Sequence, residues 1–314
     1  ANQVDACFGS AVSAAGDVNG DGFGDVIVGA PNRGNGEDDE GQASLFFGYS
    51  SVLSNPEAHT ISGLVGSDFG AAVASAGDVN GDGIADFLIT AHDAQNTQGY
   101  ETGAVYLVYG DSSWTDGGAH EFDLTDVTSS STGGVKILAP ESPWGSAYKV
   151  YWTEFGSGLS TAGDIDEDGY DDILIGYYND SSLSTTSNAY RRGSVFVIFG
   201  GDLATAGTYD MADSHVYLKF YGHYNHDHSG TDVASGDFDG DGHPDILIGS
   251  KEGRISYSEK NYGHVSLIYW MGWRTGGSTT SLATYSPYYS TPATSIKEIS
   301  LGNADARFKG EYYK

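Results

Sequence analysis

The sequence holds one cysteine, Cys7, so no disulfide can form within the chain. A lone cysteine this near the N-terminus is expected to serve as a small core-facing residue. Basic residues are scarce as well. Fourteen Lys and Arg stand against 43 Asp and Glu, a formal net charge of −29. That balance argues against nucleic acid and anionic membrane surfaces as partners, since both demand basic patches. It suits a cation-binding surface or a saline exterior. No run of roughly 18 apolar residues occurs, so no membrane insertion is expected, and no secretory leader is visible at the start. No glycine loop of the phosphate-cradling kind precedes a helical pattern. No nucleophile, base and orienting group can be assembled from position alone, and the chain is read as a non-enzyme.

What is abundant is glycine, 46 of 314 residues, about twice average usage and without a collagen period, so many tight turns are expected. The length allows one large domain or two ordinary ones. Self-similarity decides between them. "FGSAVSAAGDVNGDGFGDVIVGAP" begins at Phe8 and "FGAAVASAGDVNGDGIADFLITAH" at Phe69. "FGSGLSTAGDIDEDGYDDILIGYY" begins at Phe155 and "SGTDVASGDFDGDGHPDILIGSK" at Ser229. The repeats run over about 5–63, 64–139, 150–222 and 223–302, with a stub over 303–314 whose Phe308 could open a fifth.

Within each repeat the second strand is "DVIVG", "DFLIT", "DILIG" and "DILIG", and the third is "GQASLFFG", "GAVYLVYG", "GSVFVIFG" and "GHVSLIYW". The nearest fourth strands are "HTISG", "VKILA", "VYLKF" and "IKEIS". β-Branched and aromatic residues dominate, and no long stretch shows a helical period. The repeat length is too long for a solenoid coil and suits a four-stranded blade with variable loops. The expected fold is an all-β propeller over 1–314, or part of one, with an acidic loop between strands one and two of each blade.

Those loops carry side-chain oxygens at positions 1, 3, 5 and 9. They are Asp17, Asn19, Asp21 and Asp25, then Asp78, Asn80, Asp82 and Asp86. The third set is Asp164, Asp166, Asp168 and Asp172, and the fourth is Asp237, Asp239, Asp241 and Asp245. A glycine stands at position 6 of each, where a sharp turn needs positive φ. Phe23, Ile84, Tyr170 and His243 stand at position 7, where a backbone carbonyl would complete the set. A hard cation wanting 6–8 oxygens can be wrapped by this spacing, and Ca²⁺ suits it better than Mg²⁺, which keeps more water. About four Ca²⁺ are expected, with the four-carboxylate loops three and four holding theirs more tightly than loops one and two. Ordinary Asx-rich turns also favour these residues, but four copies in register argue for metal.

The marks that bracket these loops, Phe8-Gly9 and Gly29-Ala30-Pro31 in full, Phe69-Gly70 and Phe155-Gly156 in part, resemble the FG-GAP repeat of integrin α-subunit propellers. Repeat four departs, with Ser229-Gly230 and Gly249-Ser250-Lys251. The resemblance implies a calcium-stabilised propeller, extracellular, secreted or cell-surface, used in adhesion or recognition. Related repeats in lectins and secreted enzymes leave two alternatives: a carbohydrate-binding module, or a non-catalytic propeller attached to a secreted enzyme. Propellers of the family usually have seven blades, so a small closed ring and a longer array both stay open. Further blades or copies of the same chain are candidate partners, because an open propeller exposes sheet edges and apolar blade faces.

The face opposite the acidic loops collects dissimilar segments, as recognition loops on a repeated scaffold should be. Its aromatic residues Trp144, Tyr148, Tyr151, Trp152, Tyr177, Tyr178 and Tyr190 suit a protein hot spot or stacking on a sugar ring. They are the candidate ligand-binding residues, for an extracellular protein or glycan. His223, His226 and His228 form a separate short tract, read either as a solvated loop or as transition-metal ligands. Asp180 is read as a turn residue.

Overall fold

The structure is a computed structural model and describes residues 6–34, 40–49, 59–64, 66–95, 99, 101–114, 121–123, 133–140, 154–181, 191–203, 205, 207–211, 217–253, 263–269, 296–300 and 306–309. It is all-β, with four antiparallel four-stranded blades. Blade one is β1 (Ala11–Gly16), β2 (Asp25–Ala30), β3 (Gln42–Phe46) and β4 (His59–Ser62). Blade two is β5 (Phe69–Gly77), β6 (Asp86–Ala91), β7 (Ala104–Val108) and β9 (Gly134–Leu138). Blade three is β10 (Phe155–Gly163), β11 (Asp172–Tyr177), β12 (Ser194–Ile198) and β14 (Tyr217–Tyr221). Blade four is β15 (Ser229–Gly236), β16 (Asp245–Ser250), β17 (His264–Ile268) and β19 (Ala306–Lys309). A 3-10 turn, Gly200–Leu203, follows β12.

The second and third strands of blades two and three are buried throughout because a blade stacks on each of their faces. All six residues of β6 and of β11 are buried. The hydrophobic cores accordingly lie between blades. Ile27, Leu45 and Ile61 of blade one meet Phe69, Phe87 and Tyr106 of blade two. Leu88, Val105 and Leu107 meet Phe155, Ile175 and Phe196, and Leu174, Val195 and Phe220 meet Ile246 and Ile248. The first strands β1, β5, β10 and β15 pack in that order; among the described residues no contact of comparable extent joins β15 back to β1.

The Phe-Gly and Gly-Ala-Pro marks are two sides of the joint between neighbouring blades. Phe69 inserts beside Gly41, where an added Cβ would stand 2.3 Å from the Phe69 carbonyl oxygen. A Cβ on Gly29 would stand 2.0 Å from the carbonyl oxygen of Gly70. Only glycine permits that approach. The same contact recurs between Gly176 and the carbonyl of Gly230, at 2.1 Å. At the middle joint Thr90 replaces the glycine, and its hydroxyl donates to the Gly156 carbonyl at 2.8 Å. Rings lock the inserted phenylalanines. Phe69 stands edge-on to Tyr106 with centroids 5.6 Å apart, and Phe155 edge-on to Tyr177 at 5.7 Å.

Each first strand of blades one to three ends in a bulge, where Gly16, Gly77 and Gly163 take positive φ and pair with the opening Asp of the second strand. The bulged residues, Ala15, Ala76 and Ala162, are fully buried. Repeat four is one residue shorter before its loop, and β15 there runs in unbroken register from Asp232 to Gly236.

Two expectations are corrected at the blade edges. "IKEIS" is a strand, β18 (Ile296–Ser300), but it pairs in parallel with β14 of blade three rather than with β17. The fourth strand of blade four is instead β19, antiparallel to β17, so the "ARFK" of the stub completes a blade rather than opening one. The rule is general. Short strands β8 (Glu121–Asp123) and β13 (Gly207–Asp210), lying like β18 between the third and fourth strands of their own repeats, pair in parallel with β4 and β9 of the preceding blades. Each insertion thereby covers an outer edge whose unpaired backbone groups would otherwise invite association.

Cys7 is exposed rather than core-facing, because it lies on the outer side of blade one, where no described blade precedes it.

Candidate functional site

The four acidic loops all connect the first and second strands of a blade and so share one end of the molecule. Each is folded around its own carboxylates. In loop one Asp17 accepts from the N–H groups of Asp21 (3.0 Å) and Gly22 (2.8 Å), and Asp21 accepts from Phe23 (2.9 Å). Loops two, three and four repeat these bonds with Asp78, Asp164 and Asp237 at position 1 and Asp82, Asp168 and Asp241 at position 5. Gly22, Gly83, Gly169 and Gly242 have φ of 92°, 87°, 95° and 93°, the left-handed turn expected at position 6. Position 3 joins in, with the amides of Asn19 and Asn80 donating to Asp21 and Asp82 at 3.1 and 3.0 Å. The carboxylates of Asp164, Asp166 and Asp172 lie within 4.8 Å of one another, and so do those of Asp237, Asp239 and Asp245.

The position-9 residues open the second strands and are buried: Asp25, Asp86, Asp172 and Asp245. One oxygen of each accepts from the N–H at position 2, of Val18, Val79, Ile165 and Phe238, at 2.8–2.9 Å. In the first three loops the other oxygen accepts from Gly48, Gly110 or Gly200, just past the third strand. These carboxylates therefore tie the loop to the blade and face the cluster as well. Burial raises their pKa values to about 6 for Asp25, about 7 for Asp86 and about 8 for Asp172. The N–H donors pull the other way, while the neighbouring loop carboxylates add to the rise.

The donor set fits a hard divalent cation. It is all oxygen, and it draws together like charges that repel. Among the described residues no Lys or Arg pairs with Asp17, Asp21, Asp25, Asp78, Asp82 or Asp86. Bound there, Ca²⁺ would supply the missing countercharge, held by the side chains at positions 1, 3, 5 and 9.

The raised values carry a prediction. A carboxyl whose folded pKa lies above the ordinary 3.8 holds a proton longer in the folded state, so folding stability falls as pH rises through that window. With divalent cations chelated, the melting midpoint is expected to fall steadily from pH about 4 to about 8. With saturating Ca²⁺ the slope should flatten. Thermal melts in chelator across that range check it, and a midpoint that rises with pH would contradict it.

Adjacent loops are also bonded to one another. Ala85 N–H donates to the Asp17 carbonyl at 3.1 Å, and Asp171 N–H to the Asp78 carbonyl at 2.9 Å. Asp171 Oδ2 in turn accepts from Asp78 N–H at 2.8 Å. In loop four the equivalent residue is Pro244, which has no N–H to give. His243 of loop four instead reaches Glu167 of loop three, Nδ1 to Oε1 at 3.1 Å.

At the opposite end the ligand-face residues separate. Trp144, Tyr148, Tyr151, Trp152 and Tyr190 lie outside the described residues. Tyr177 ends β11 inside the core between blades two and three, packed on Phe155, so it is a packing residue and not an exposed anchor. Tyr178, the next residue, is half-buried at the surface, its ring 5.5 Å from that of His228. Burial and a hydrogen bond with Glu154 push its phenol up to about 12. Asp180 proves to be more than a turn residue. Its Oδ2 accepts from Ser194 Oγ at 2.6 Å and pairs with Lys219 Nζ at 2.8 Å, all buried, which anchors the root of the 177–193 loop. His223 and His226 are exposed and His228 is buried, its Nε2 4.0 Å from Glu252 Oε2.

Blades joined through paired Phe-Gly and Gly marks, each with an acidic hairpin loop at one end, define a propeller built from acidic-loop repeats. The chain belongs to the FG-GAP repeat family, whose model matches residues 8–46, 69–108, 155–198 and 229–268. Among curated proteins it is similar to Integrin alpha-4 of Xenopus laevis, 32% identical over 193 residues, 61% of this chain and 16% of that protein. It is similar also to Integrin alpha-5 of Xenopus laevis, 29% identical over 259 residues (78% of this chain, 20% of that protein). Integrin alpha pat-2 of Caenorhabditis briggsae is 28% identical over 245 residues, 76% of this chain and 17% of that protein. The chain thus spans a fifth or less of the length of these relatives.

Proposed function

We propose that this chain is a calcium-binding propeller that works as a non-catalytic recognition module outside the cell or at its surface, in adhesion or extracellular assembly. The observation that carries the reading is the contrast between the two ends of the blades. At one end four loops repeat the same hydrogen bonds around the same carboxylates, which is what a structural metal site requires. At the other end the connections differ in length and chemistry, and rigid blades hold them in place. The integrin α relatives support the adhesion reading, and the charge of −29 suits a calcium-rich exterior. Partners are then an extracellular protein or, in the lectin-like alternative, a glycan.

The 140–154 and 177–193 segments are the proposed ligand face. Replacing Trp144 and Trp152 together by Ala is expected to weaken partner binding by about thirtyfold, the loss of one buried aromatic anchor. Calcium-dependent melting should stay as it was. Binding measured on parallel protein and glycan arrays distinguishes the two partner classes. If the double variant melts far lower than the parent, those rings pack the blades and the ligand face lies elsewhere.

A further inference from the structure

At the end opposite the acidic loops, the residue before each Phe-Gly or Ser-Gly pair has a left-handed backbone although none is glycine. Cys7, Asp68, Glu154 and His228 have φ of 53°, 51°, 45° and 52°. A side chain held in that region costs energy and marks a position that its surroundings fix. In blade one the fixed side chain meets the residue two past the second strand, and the Asn32 amide donates to Cys7 Sγ at 3.5 Å. In blade four the same two positions hold His228 and Glu252.

There the hydrogen bond is replaced by a gap. The His228 side chain is nine-tenths buried, and its Nδ1 has no hydrogen-bond partner among the described residues. Its Nε2 stands 4.0 Å from Glu252 Oε2, too far for a hydrogen bond. His226, two residues earlier, is also left-handed (φ 62°), and its ring centre lies 6.1 Å from that of His228. Asp227 between them is fully buried and closes a tight turn. Its Oδ2 accepts from Tyr224 N–H at 2.6 Å, and its own N–H donates to the Tyr224 carbonyl at 3.2 Å. Glu252 N–H donates to the Asp227 carbonyl at 3.4 Å, so one turn positions both rings and the carboxylate. On a tetrahedral zinc ion, ligand atoms stand roughly 3.4 Å apart and two imidazole centres roughly 5 Å apart, given Zn–N of about 2.0–2.1 Å. The observed spacings exceed these by about 1 Å or less. His226 and Glu252 are exposed side chains with room to turn inward. Burial lowers the His228 pKa below the ordinary 6.5; Glu252 opposes this, and the charges of His226, Arg191 and Lys251 add to it. The neutral imidazole is the form that binds a metal.

We propose that His226, His228 and Glu252 hold a divalent transition-metal ion, with zinc the ion whose geometry they fit, at the third joint and at the end opposite the acidic loops. Two imidazoles and one carboxylate are a poor seat for calcium, which takes oxygen, and suit an ion that bonds nitrogen. The ion bridges the linker between blades three and four and the connection that follows β16, beside Tyr178 of blade three, whose ring is 5.5 Å from that of His228. The third joint is also the one whose acidic loops lack a backbone tie, because Pro244 stands where Ala85 and Asp171 donate. Zinc therefore fastens at one end a joint that is missing a bond at the other. The site depends neither on calcium in the loops nor on the proposed partner.

Zinc titrated into the 314-residue chain in saturating Ca²⁺, followed by calorimetry, tests this, since the acidic loops are then filled. One Zn²⁺ per chain is expected, with uptake that stays the same as calcium is raised further. His226→Gln, His228→Gln and Glu252→Gln are each expected to lower zinc affinity by at least about tenfold, a loss that removal of a group merely supporting a metal ligand already causes. His223→Gln, on the neighbouring exposed ring, leaves it unchanged. His228 is buried and its replacement can loosen the joint, but His226 and Glu252 are exposed, so melting of those two variants in calcium without zinc should match the parent. A chain that takes up no zinc, or takes up less as calcium rises, overturns the proposal. So does parental affinity in His226→Gln or Glu252→Gln, or a loss in His223→Gln as large as theirs.

Discussion

Chelating calcium is expected to lower the melting midpoint of this chain by well over 10 °C. A ligand that binds only the folded state stabilises it by RT ln(1 + [L]/Kd), about 2.7 kcal/mol for each site at a hundredfold excess over Kd. For a chain of 314 residues about 1 kcal/mol moves the midpoint by roughly 1–2 °C. Four sites need not add independently. The bonds from Ala85 to Asp17 and between Asp171 and Asp78 tie neighbouring loops together. Loop four has proline where that donor would be, so blade four is expected to loosen separately from the other three. Differential scanning calorimetry in calcium and in chelator reads both effects. Superimposable traces would mean that the loops are only Asx turns, and Asp164→Ala with Asp168→Ala would then shift the trace equally in calcium and in chelator, by the loss of the loop's own hydrogen bonds.

Much of this arrangement was legible because it is local. The loop spacing and the second and third strands depend on residues within one repeat. Even the one-residue shortening between Ser229 and Asp237 shows in the sequence and returns as the unbroken register of β15. What was not legible depends on neighbours far along the chain. "IKEIS" has the pattern of a strand, but nothing in its residues says that the free edge nearest to it belongs to the blade before. The same is true of β8 and β13. Tyr177 and Tyr178 look alike in sequence, and the last hydrogen-bonded pair of β11, Tyr177 with Ser194, is what sends one ring into the core and leaves the other beside His228. Cys7 was expected to face the core as a lone small residue near the N-terminus; its exposure, like that of Phe8, records what packs against blade one and not what the residue is made of.

That dependence on neighbours sets the outcome of one substitution made at three equivalent positions. Phe69→Ala and Phe155→Ala each empty a seat that glycine backbones have shaped around the ring, and glycines cannot send side chains into the gap. Little collapse is available, so the cost is expected near the upper end of the range for buried phenylalanine, about 3–5 kcal/mol. The ring partners are lost with it: Tyr106 for Phe69, and Tyr177 with Phe196 for Phe155. Phe8→Ala removes the same atoms from an exposed position whose described ring contact is an edge-on approach to Phe46 at 6.4 Å, and in dilute protein it is expected to cost about 1 kcal/mol or less. Urea midpoints in saturating calcium compare the three directly. Because Phe69 and Phe155 each seal a joint, their loss should also uncouple the flanking blades and broaden the transition, while Phe8→Ala leaves its slope alone. Equal losses at all three positions would show that the phenylalanine stabilises its own blade, and that the joint between blades is held by the strand backbones instead.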